Sequence, residues 1–412
     1  MASKLKAVFE SPTLIAQLET ERACRPLLPD NDGSDSDPEL QDLGSLLNTE
    51  KHIKFLRTIL KGPLPAGFRA LDASKPWLIY WCCNALAILG NGIDDLKPAI
   101  VETILSAQCK SGGFGGGNQQ LAHLAPSYAA INALALSGDE EAWDKIDRQA
   151  CYNWIMSLKQ KDGSFIMCKG GESDPRATYC AFSIASMLNI ITEELVANSA
   201  EYISSCQTYE GGFANVPLSE AHGGYAFCAL ASLCFLGPPH VVLPKYINVE
   251  NAIKWLSSRQ MTVEGGFSGR INKLVDGCYN LWVGGCWGLL EAAIVNERNT
   301  EIPSLWNRTA LKNYTIYCCQ DPRGGLRDKP GKSPDSYHTN YVLCGLAASE
   351  SVYLYEQEPG APLTGLGEYA YMWKTLAYNP SAPQLINPIH PLHVLPVGVA
   401  EKMKAHFRKV PI

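Results

Sequence analysis

The chain has 412 residues, of which 46% are hydrophobic and only 18% are charged, so it is long and apolar enough for a large buried core. Its formal net charge of −6 argues against a nucleic-acid partner, because binding to a phosphate backbone requires a basic face. No stretch reaches 18 apolar residues without a charge, a glycine or a proline, and the N-terminus lacks the apolar run of a signal peptide. We therefore expect a cytoplasmic protein without a membrane span.

Fifteen cysteines are scattered along the chain, several of them inside apolar segments. They include two adjacent pairs, Cys82 with Cys83 and Cys318 with Cys319, but no C-x-x-C motif. This usage predicts buried free thiols in a reducing compartment rather than a disulfide framework. The last four residues, 409–412, contain no cysteine that could be lipidated.

The first 50 residues are interpreted as a partly flexible lead-in to the folded part. Within them, residues 29–39 are acidic, small and rich in turn formers, which is typical of a solvated segment. We assign no function to this segment.

A short cassette then recurs five times along the chain, each time as a glutamine followed by a glycine-rich turn and usually an aromatic residue. The copies occupy residues 108–114, 160–165, 207–213, 260–267 and 320–326. A helix-like segment precedes each cassette, and a more apolar segment rich in small residues follows it. Units of about 50 residues can hold two helices of ~12–15 residues and their connections.

The more apolar segments number six, and each has a typical helix start of proline, aspartate, serine or histidine. They begin near Pro76, Pro126, Pro175, His222, Asp276 and Ser336. Because these segments are apolar almost all round, they should form an inner layer, with the more charged helices outside. Such pairs can form an open solenoid or a closed ring, and the small residues of the inner segments favour closure. We predict an all-α fold, an α/α toroid of six helical hairpins (an α6–α6 barrel) over residues 51–355, with residues 356–412 as a tail that packs on it.

In such a barrel the inner helices are parallel, so their N-termini meet around one mouth. Asp276, Cys278 and His338 stand at two adjacent starts, and together they are suitable zinc ligands that leave a fourth position open for a substrate thiol. Taken alone, the same residues are more often a helix cap, a core cysteine and a rim histidine. Their common position at one mouth is what favours the metal site.

Cationic and hydroxyl groups cluster at neighbouring starts. Residues 270–273 (Arg-Ile-Asn-Lys) precede the fifth inner helix, and residues 222–225 (His-Gly-Gly-Tyr) open the fourth. These types at helix N-termini suit a phosphate or diphosphate, although a solvated basic loop is equally compatible with the sequence. Asp328 and two lysines in residues 328–332 suggest magnesium beside a diphosphate, or else a surface turn. Tryptophan and tyrosine at the starts are more often core residues, but beside an anion site they would suit an amphipathic prenyl diphosphate.

The motifs at 222–225, 270–273, 275–279, 328–332 and 337–341, together with Trp282, resemble the catalytic β subunits of the protein prenyltransferase family. The resemblance extends over about residues 71–354 and resumes at 387–393. It implies an α-α toroid that forms a heterodimer with a helical-repeat α subunit. The activity it implies is transfer of a prenyl group from its diphosphate to the cysteine of a C-terminal C-a-a-X sequence, as on small GTPases. Zinc, and magnesium with the diphosphate, are the implied cofactors.

The family's functional residues carry over to matching positions of this chain. Zinc would be bound by Asp276, Cys278 and His338, while Tyr279, Lys273 and Asp328 would also take part in catalysis. The prenyl diphosphate would be bound by His222, Gly223, Gly224, Tyr225, Arg270, Ile271, Asn272, Lys273, Tyr279, Asn280, Leu281, Trp282, Arg176, Tyr179 and Cys228, with a lysine from the α subunit. The peptide would be bound by Ser74, Trp77, Trp81, His123, Ala125, Tyr337 and Tyr341.

Three alternatives remain open at this stage. Geranylgeranyl transfer is the nearest, but in the family a bulky Trp77 and Tyr341 close the channel against a fourth isoprene unit, so we expect farnesyl diphosphate as the donor. A terpenoid cyclase would need a D-x-D-D or D-D-x-x-D motif, and Asp94-Asp95 is followed by Leu-Lys-Pro instead. A non-enzymatic repeat scaffold would bind no metal.

Overall fold

The computed structural model describes residues 11–29, 46–64, 66–294, 304–356 and 365–410. Most of the acidic lead-in, residues 30–39, and the last two residues, 411 and 412, lie outside these ranges. None of the helices in the described ranges is long and apolar enough to cross a membrane.

The described chain is almost entirely helical. In order, its α-helices are α1 (Pro12–Cys24), α2 (Thr49–Lys61), α3 (Lys75–Ile88), α4 (Lys97–Ser106), α5 (Leu124–Ser137), α6 (Glu140–Trp143), α7 (Arg148–Leu158), α8 (Pro175–Met187), α9 (Glu193–Val196), α10 (Ser199–Ser205), α11 (Gly223–Cys234), α12 (Pro239–Tyr246), α13 (Val249–Ser257), α14 (Tyr279–Trp282), α15 (Gly284–Ile294), α16 (Arg308–Asn313), α17 (Ser336–Ser349) and α18 (Val399–Arg408). Short 3-10 helices span Ala66–Ser74 and Tyr369–Tyr371, and α16 continues as a π-helical turn over Tyr314–Cys319. One antiparallel pair, β1 (Ser351–Tyr355) with β2 (Trp373–Ala377), is the exception to the predicted all-α content.

Six inner helices form a closed ring. They are α3, α5, α8, α11, the broken helix α14–α15, and α17, and each contacts the next, while α17 contacts α3. Their side chains are buried nearly all round, as their composition predicts. The structure is therefore the closed α/α toroid and not the open solenoid.

Several of the repeated cassettes join successive units through their glutamines, whereas Gln160 donates within its own unit, to the carbonyl of Leu158 (2.8 Å). The side-chain oxygen of Gln207 accepts from the backbone N–H of Asn248 (2.8 Å), and its amide donates to the carbonyl of the same residue (2.9 Å). Gln260 makes the same pair of bonds with Asn307. Asn248 and Asn307 are the N-caps of the next outer helices, α13 and α16. Each of these two glutamines thus satisfies the N–H of an N-cap residue, which has no partner within the helix, and gives a second hydrogen bond to the carbonyl of the same residue, which already accepts one from its own helix.

The last cassette closes the ring in the same way. Gln320 accepts from the backbone N–H of Asn48, which is the N-cap of the first outer helix, α2 (2.8 Å). Beside it, Gly324 has φ of +108°, and a Cβ there would lie 2.3 Å from the carbonyl oxygen of Lys51. The equivalent glycines approach the outer helices just as closely, and they are Gly112, Gly163, Gly211 and Gly265. Glycine is needed because both the left-handed φ and the close approach exclude a side chain.

The cysteines are mostly buried free thiols, as the sequence predicts. All fifteen cysteines lie in the described ranges as free thiols, and all except Cys109 and Cys168 are buried.

The two ends of the chain add elements that the repeat pattern does not predict. Helix α1 begins in the lead-in, where Ser11 accepts from the N–H of Leu14 and a proline stands at the first helical position. It packs on the toroid through Gln17, which donates to the buried Glu264 (2.8 Å). At the other end, α18 contacts α5 and α8.

We expect Gly324→Ala to lower the free energy of unfolding by about 2–4 kcal/mol, since it adds a clash with Lys51 to the strain of a left-handed φ. Gly331→Ala is the matched control, because Gly331 also has a left-handed φ (+84°) but nothing within 4 Å of the place that a Cβ would take. Its expected loss is only about 1–2 kcal/mol. Denaturant unfolding measures both values, and equal losses would show that the approach to α2 contributes nothing.

Candidate active site at the mouth of the barrel

The N-termini of the inner helices meet at one end of the toroid, within a few residues of the predicted starts. Five side chains there accept hydrogen bonds from backbone N–H groups two or three residues further along, and they are His123, Asp174, His222, Asp276 and Asp335. Such helix caps fix the backbone conformation at the start of each helix. The positive ends of several helix dipoles also point towards the mouth, which favours anions there.

Asp276, Cys278 and His338 come together at this mouth. One potential ligand atom from each lies within 4.8 Å of the others, and Asp276 Oδ1 is 3.2 Å from His338 Nε2. Zinc bonds of about 2.0–2.3 Å in a tetrahedral site need ligand atoms roughly 3.3–3.8 Å apart, so a small adjustment would seat the ion. One oxygen, one sulfur and one nitrogen ligand fit zinc and leave the fourth position free.

Asp335 orients the histidine, although the sequence analysis did not single it out. His338 Nδ1 lies 2.7 Å from Asp335 Oδ2, which directs Nε2 towards Asp276. A carboxylate behind a metal-binding histidine fixes the tautomer and the direction of the ring. The available signal was an aspartate three residues before the histidine, at the start of the same helix.

In the chain without a metal, the pKa values of His338 and Cys278 favour the protonated forms of both side chains. Burial lowers the pKa of His338, but hydrogen bonds to Asp276 and Asp335 outweigh it and raise the pKa to about 10. Burial and the nearby Asp276 charge raise the pKa of Cys278 well above its usual value. Burial opposes ionisation of Asp276, but bonds from His338 and Cys278 still lower its pKa. Metal binding therefore has to displace protons from His338 and Cys278.

A second carboxylate lies next to this cluster. The backbone carbonyl of Asp328 accepts from Gly277 N–H (2.8 Å) and from the Tyr314 hydroxyl (2.7 Å), which joins its loop to the turn between Asp276 and Cys278. Burial and the Asp276 charge raise the pKa of the Asp328 carboxyl, while its ion pair with Lys329 opposes that shift. One carboxylate oxygen fits magnesium if the remaining ligands come from water and from phosphate oxygens.

His222 and Tyr279 form a hydrogen-bonded pair on the other side of the metal ligands. His222 Nδ1 accepts from Gly224 N–H (3.0 Å), so the proton of the neutral ring is assigned to Nε2, which faces the Tyr279 hydroxyl at 3.0 Å. Burial, followed by the charges of Arg270 and Arg176, lowers the pKa of His222 to about 4, so the ring is neutral near pH 7. With its oxygen accepting from His222, Tyr279 can donate its own proton to a ligand.

The predicted cations lie around this pair. Arg270 forms an ion pair with Glu220 (2.9 Å), and Arg176 forms a bidentate pair with Asp174 (2.6 and 3.0 Å). Lys273 lies on the exposed turn that follows Arg270. Ile271 and Asn272, on the same turn, are also exposed, and Asn272 has φ of +56°.

A closed ring of aromatic side chains lines the inner wall. It consists of Trp77 and Trp81 on α3, Tyr128 on α5, Tyr179 on α8, Phe227 on α11, Trp282 on α14, and Tyr337 and Tyr341 on α17. The ring centroids of neighbouring side chains are 4.5–5.8 Å apart in the order Trp77, Tyr128, Tyr179, Phe227, Trp282 and Tyr341. The circle closes where the indole N–H of Trp81 donates to the Tyr341 hydroxyl (3.4 Å). Phe227 was not in the predicted site, and Tyr128 was predicted only as one of the tyrosines at the inner-helix starts, without a binding role. Aligning the fifth residue of each inner helix would have found both.

The remaining predicted residues fall into two groups. Near the mouth or on the inner wall lie Ser74, His123, Ala125, Gly223, Gly224, Tyr225 and Cys228. Two others point elsewhere. The Asn280 side chain is buried and donates to Thr315 on the π-helical turn (3.0 Å), and Leu281 is buried beside Gly285. The prediction that these two side chains contact the prenyl diphosphate is therefore not supported by their positions.

Comparison with known proteins agrees with this architecture. The model of the prenyltransferase alpha-alpha toroid domain family matches residues 47–395. A protein farnesyltransferase subunit beta from Pyricularia oryzae is 42% identical, with the alignment covering 98% of this chain and 82% of that protein. A geranylgeranyl transferase type-1 subunit beta from Arabidopsis thaliana is more distant, at 29% identity over 71% of this chain and 82% of that protein. The solved Candida albicans protein geranylgeranyltransferase-I with GGPP shares the fold, with a TM-score of 0.68 at 21% identity over 88% of this chain and 99% of the other.

Asp335→Asn should weaken zinc binding about 10–100-fold, because the amide still caps α17 but no longer places a negative charge behind His338. Cys278→Ala should abolish tight binding. Competition with a chromophoric chelator measures both affinities, and Asp95→Asn, in an exposed ion pair on the outer surface, is the control. Unchanged zinc affinity in Asp335→Asn would exclude the orienting role.

Tyr279→Phe should reduce the affinity for inorganic diphosphate about 10-fold or more, since a hydrogen bond to a charged group contributes roughly 1.5–3 kcal/mol. Tyr152→Phe, which removes a tyrosine hydroxyl from the outer surface, should leave the affinity unchanged. Calorimetric titration gives the dissociation constants. Equal affinities in the two variants would rule out Tyr279 as an anion ligand.

Proposed function

The chain belongs to the family of protein farnesyltransferase β subunits, and we propose that it transfers farnesyl from farnesyl diphosphate to the cysteine thiol of a C-terminal C-a-a-X sequence. One observation carries most weight. The cluster of Asp276, Cys278 and His338 lies between a pocket of anion-binding groups and a closed aromatic wall. A thiol, a diphosphate and an isoprenoid can therefore meet at one place.

The aromatic ring would bind the isoprenoid. Its walls are apolar and closely packed, so they exclude water and restrict the chain to a few conformations. Tyr225, which stacks with the Arg176 guanidinium (5.4 Å), stands where the apolar wall meets the cationic rim. An amphipathic molecule with an anionic head and an apolar tail matches this division.

Zinc held by Asp276, Cys278 and His338 would supply an open coordination position and favour the thiolate form of a substrate cysteine. The protein's own contribution is to hold these three ligands in place. Asp335 directs His338, and the backbone N–H of Cys278 donates to Asp276.

In the reaction, the substrate sulfur forms a bond to C1 of the farnesyl chain while the bond from C1 to the diphosphate oxygen breaks. The electron pair of the broken bond leaves with the diphosphate, and the thiol proton is lost to solvent. Tyr279, donating its hydroxyl proton, and the cations Arg270 and Lys273 would stabilise the leaving charge. We assign the magnesium of the diphosphate to Asp328.

The partner is proposed to be a prenyltransferase α subunit. The turn with Arg270 and Lys273 lies at the exposed rim, so a lysine from a second chain can reach the same diphosphate. The peptide would enter beside Trp77, Trp81 and Tyr337, and proteins ending in C-a-a-X, such as small GTPases, are the expected substrates. A terpenoid cyclase lacks support, since neither of its acidic motifs occurs in the chain.

The test is to co-express the chain with an α subunit and to assay a C-a-a-X peptide with farnesyl and with geranylgeranyl diphosphate. Farnesyl should be preferred, because Trp77 and Tyr341 fill the space that a fourth isoprene unit needs. Trp77→Thr should raise the ratio of kcat/KM for geranylgeranyl over farnesyl about 10-fold or more. Trp373→Thr, on the distant strand β2, should leave the ratio unchanged. A wild-type preference for geranylgeranyl would assign the chain to the other transfer reaction.

A further inference from the structure

The C-terminal segment 389–396, which we call the plug, enters the toroid from the end opposite the mouth. It folds back on itself, with Ile389 paired to Pro396 and the N–H of His390 donating to the carbonyl of Leu395 (2.7 Å). Its residues are almost fully buried. Val394 has φ of +58°, a strained conformation for a β-branched residue, which persists only where the surroundings enforce it.

Inner helices hold the plug by its backbone. The Asn84 amide on α3 donates to the carbonyl of Val394 (3.0 Å). The Tyr179 hydroxyl on α8 donates to the carbonyl of Leu392 (2.7 Å). These polar bonds are buried inside the barrel, where an unpaired carbonyl is unfavourable.

The same hydroxyls belong to the aromatic wall. Tyr179 has a single hydroxyl proton, and its short bond to Leu392 uses it. The Tyr128 proton is then shared between the oxygen of Tyr179 (3.2 Å) and the carbonyl of His393 (3.4 Å). The plug therefore fixes where both rings stand.

The side chain of His393 also holds the plug in place. Its Nδ1 lies 3.1 Å from the Ser183 hydroxyl, one turn along α8 from Tyr179. Its ring packs edge-on against Phe235 (5.2 Å) and stacks on Tyr371 (5.6 Å). The side chain thus fills the space between Ser183, Phe235 and Tyr371.

We propose that the plug is a determinant of isoprenoid length, through its hold on Tyr128 and Tyr179 and through the volume of His393. This inference rests on the proposed function. Movement of these rings or of the plug would give a longer isoprenoid room beyond that limited by Trp77 and Tyr341, and a close-packed, hydrogen-bonded segment resists that movement. A plug that merely sealed the core would affect stability but not the choice between isoprenoids.

Two serines on α8 provide a matched test. Ser183 and Ser186 are both buried and both hydrogen-bond to the C-terminal region, but Ser183 meets the plug, while Ser186 meets the Tyr371 hydroxyl (3.0 Å). We would compare Ser183→Ala, Ser186→Ala and His393→Ala in the co-expressed complex. The measurements are kcat/KM for farnesyl and geranylgeranyl diphosphate and the binding of each diphosphate by tryptophan fluorescence.

His393→Ala should raise the geranylgeranyl-to-farnesyl ratio of kcat/KM about 10-fold or more, and Ser183→Ala about threefold, with binding changing in the same direction. Ser186→Ala should leave the ratio unchanged. If both plug variants transfer farnesyl with the wild-type ratio, the inference is wrong while the proposed function stands. If the wild-type complex transfers no farnesyl, the proposed function is wrong and the inference falls with it. Should His393→Ala fail to fold, the milder Ser183→Ala still decides the outcome.

Discussion

The structure depends on a repeated contact between a glutamine side chain and the start of the next outer helix. An amide can accept from one backbone N–H and donate to one carbonyl, so a single side chain satisfies an N–H that a helix start leaves open and also bonds a nearby carbonyl. The adjacent glycine lets the two backbones approach almost to contact. Because the units present similar groups to their neighbours, successive hairpins are related by a similar rotation, and six of them complete a circle.

Closure of that circle is what creates the site. Asp276 and His338 lie at the starts of adjacent inner helices, and it is the packing of these helices that brings the two residues together. The parallel inner helices bring polar caps, a cluster of three potential metal ligands and an aromatic wall to fixed heights along one axis. Reactivity at this mouth is therefore a property of the ring as a whole.

Features that repeat along the chain, or that follow the helical period, can be predicted from the sequence. Cassette spacing, burial of the inner segments and the helix starts all follow from local composition, so the toroid and the gathering of residues at one mouth were predictable. The directions in which individual side chains point were not predictable. Asn280 follows directly after Tyr279, yet the helix turns its side chain towards Thr315 and away from the mouth. Asp335 and Phe227 do leave signals in the sequence, because Asp335 stands three residues before His338 and Phe227 is the fifth residue of its helix, as Tyr128 and Tyr179 are of theirs.

The joint between the sixth unit and the first differs from the others, because no peptide link crosses it. There Gln320 meets Asn48 across 272 positions of the chain. A contact between such distant residues carries a large loop-closure entropy, so it should form late in folding, after the chain has built an open arc of hairpins. Trp81 and Tyr341 meet across the same joint, 260 positions apart. Until the arc becomes a ring, the aromatic wall is incomplete, so the molecule acquires its closed inner wall and its final cooperative contacts in one step.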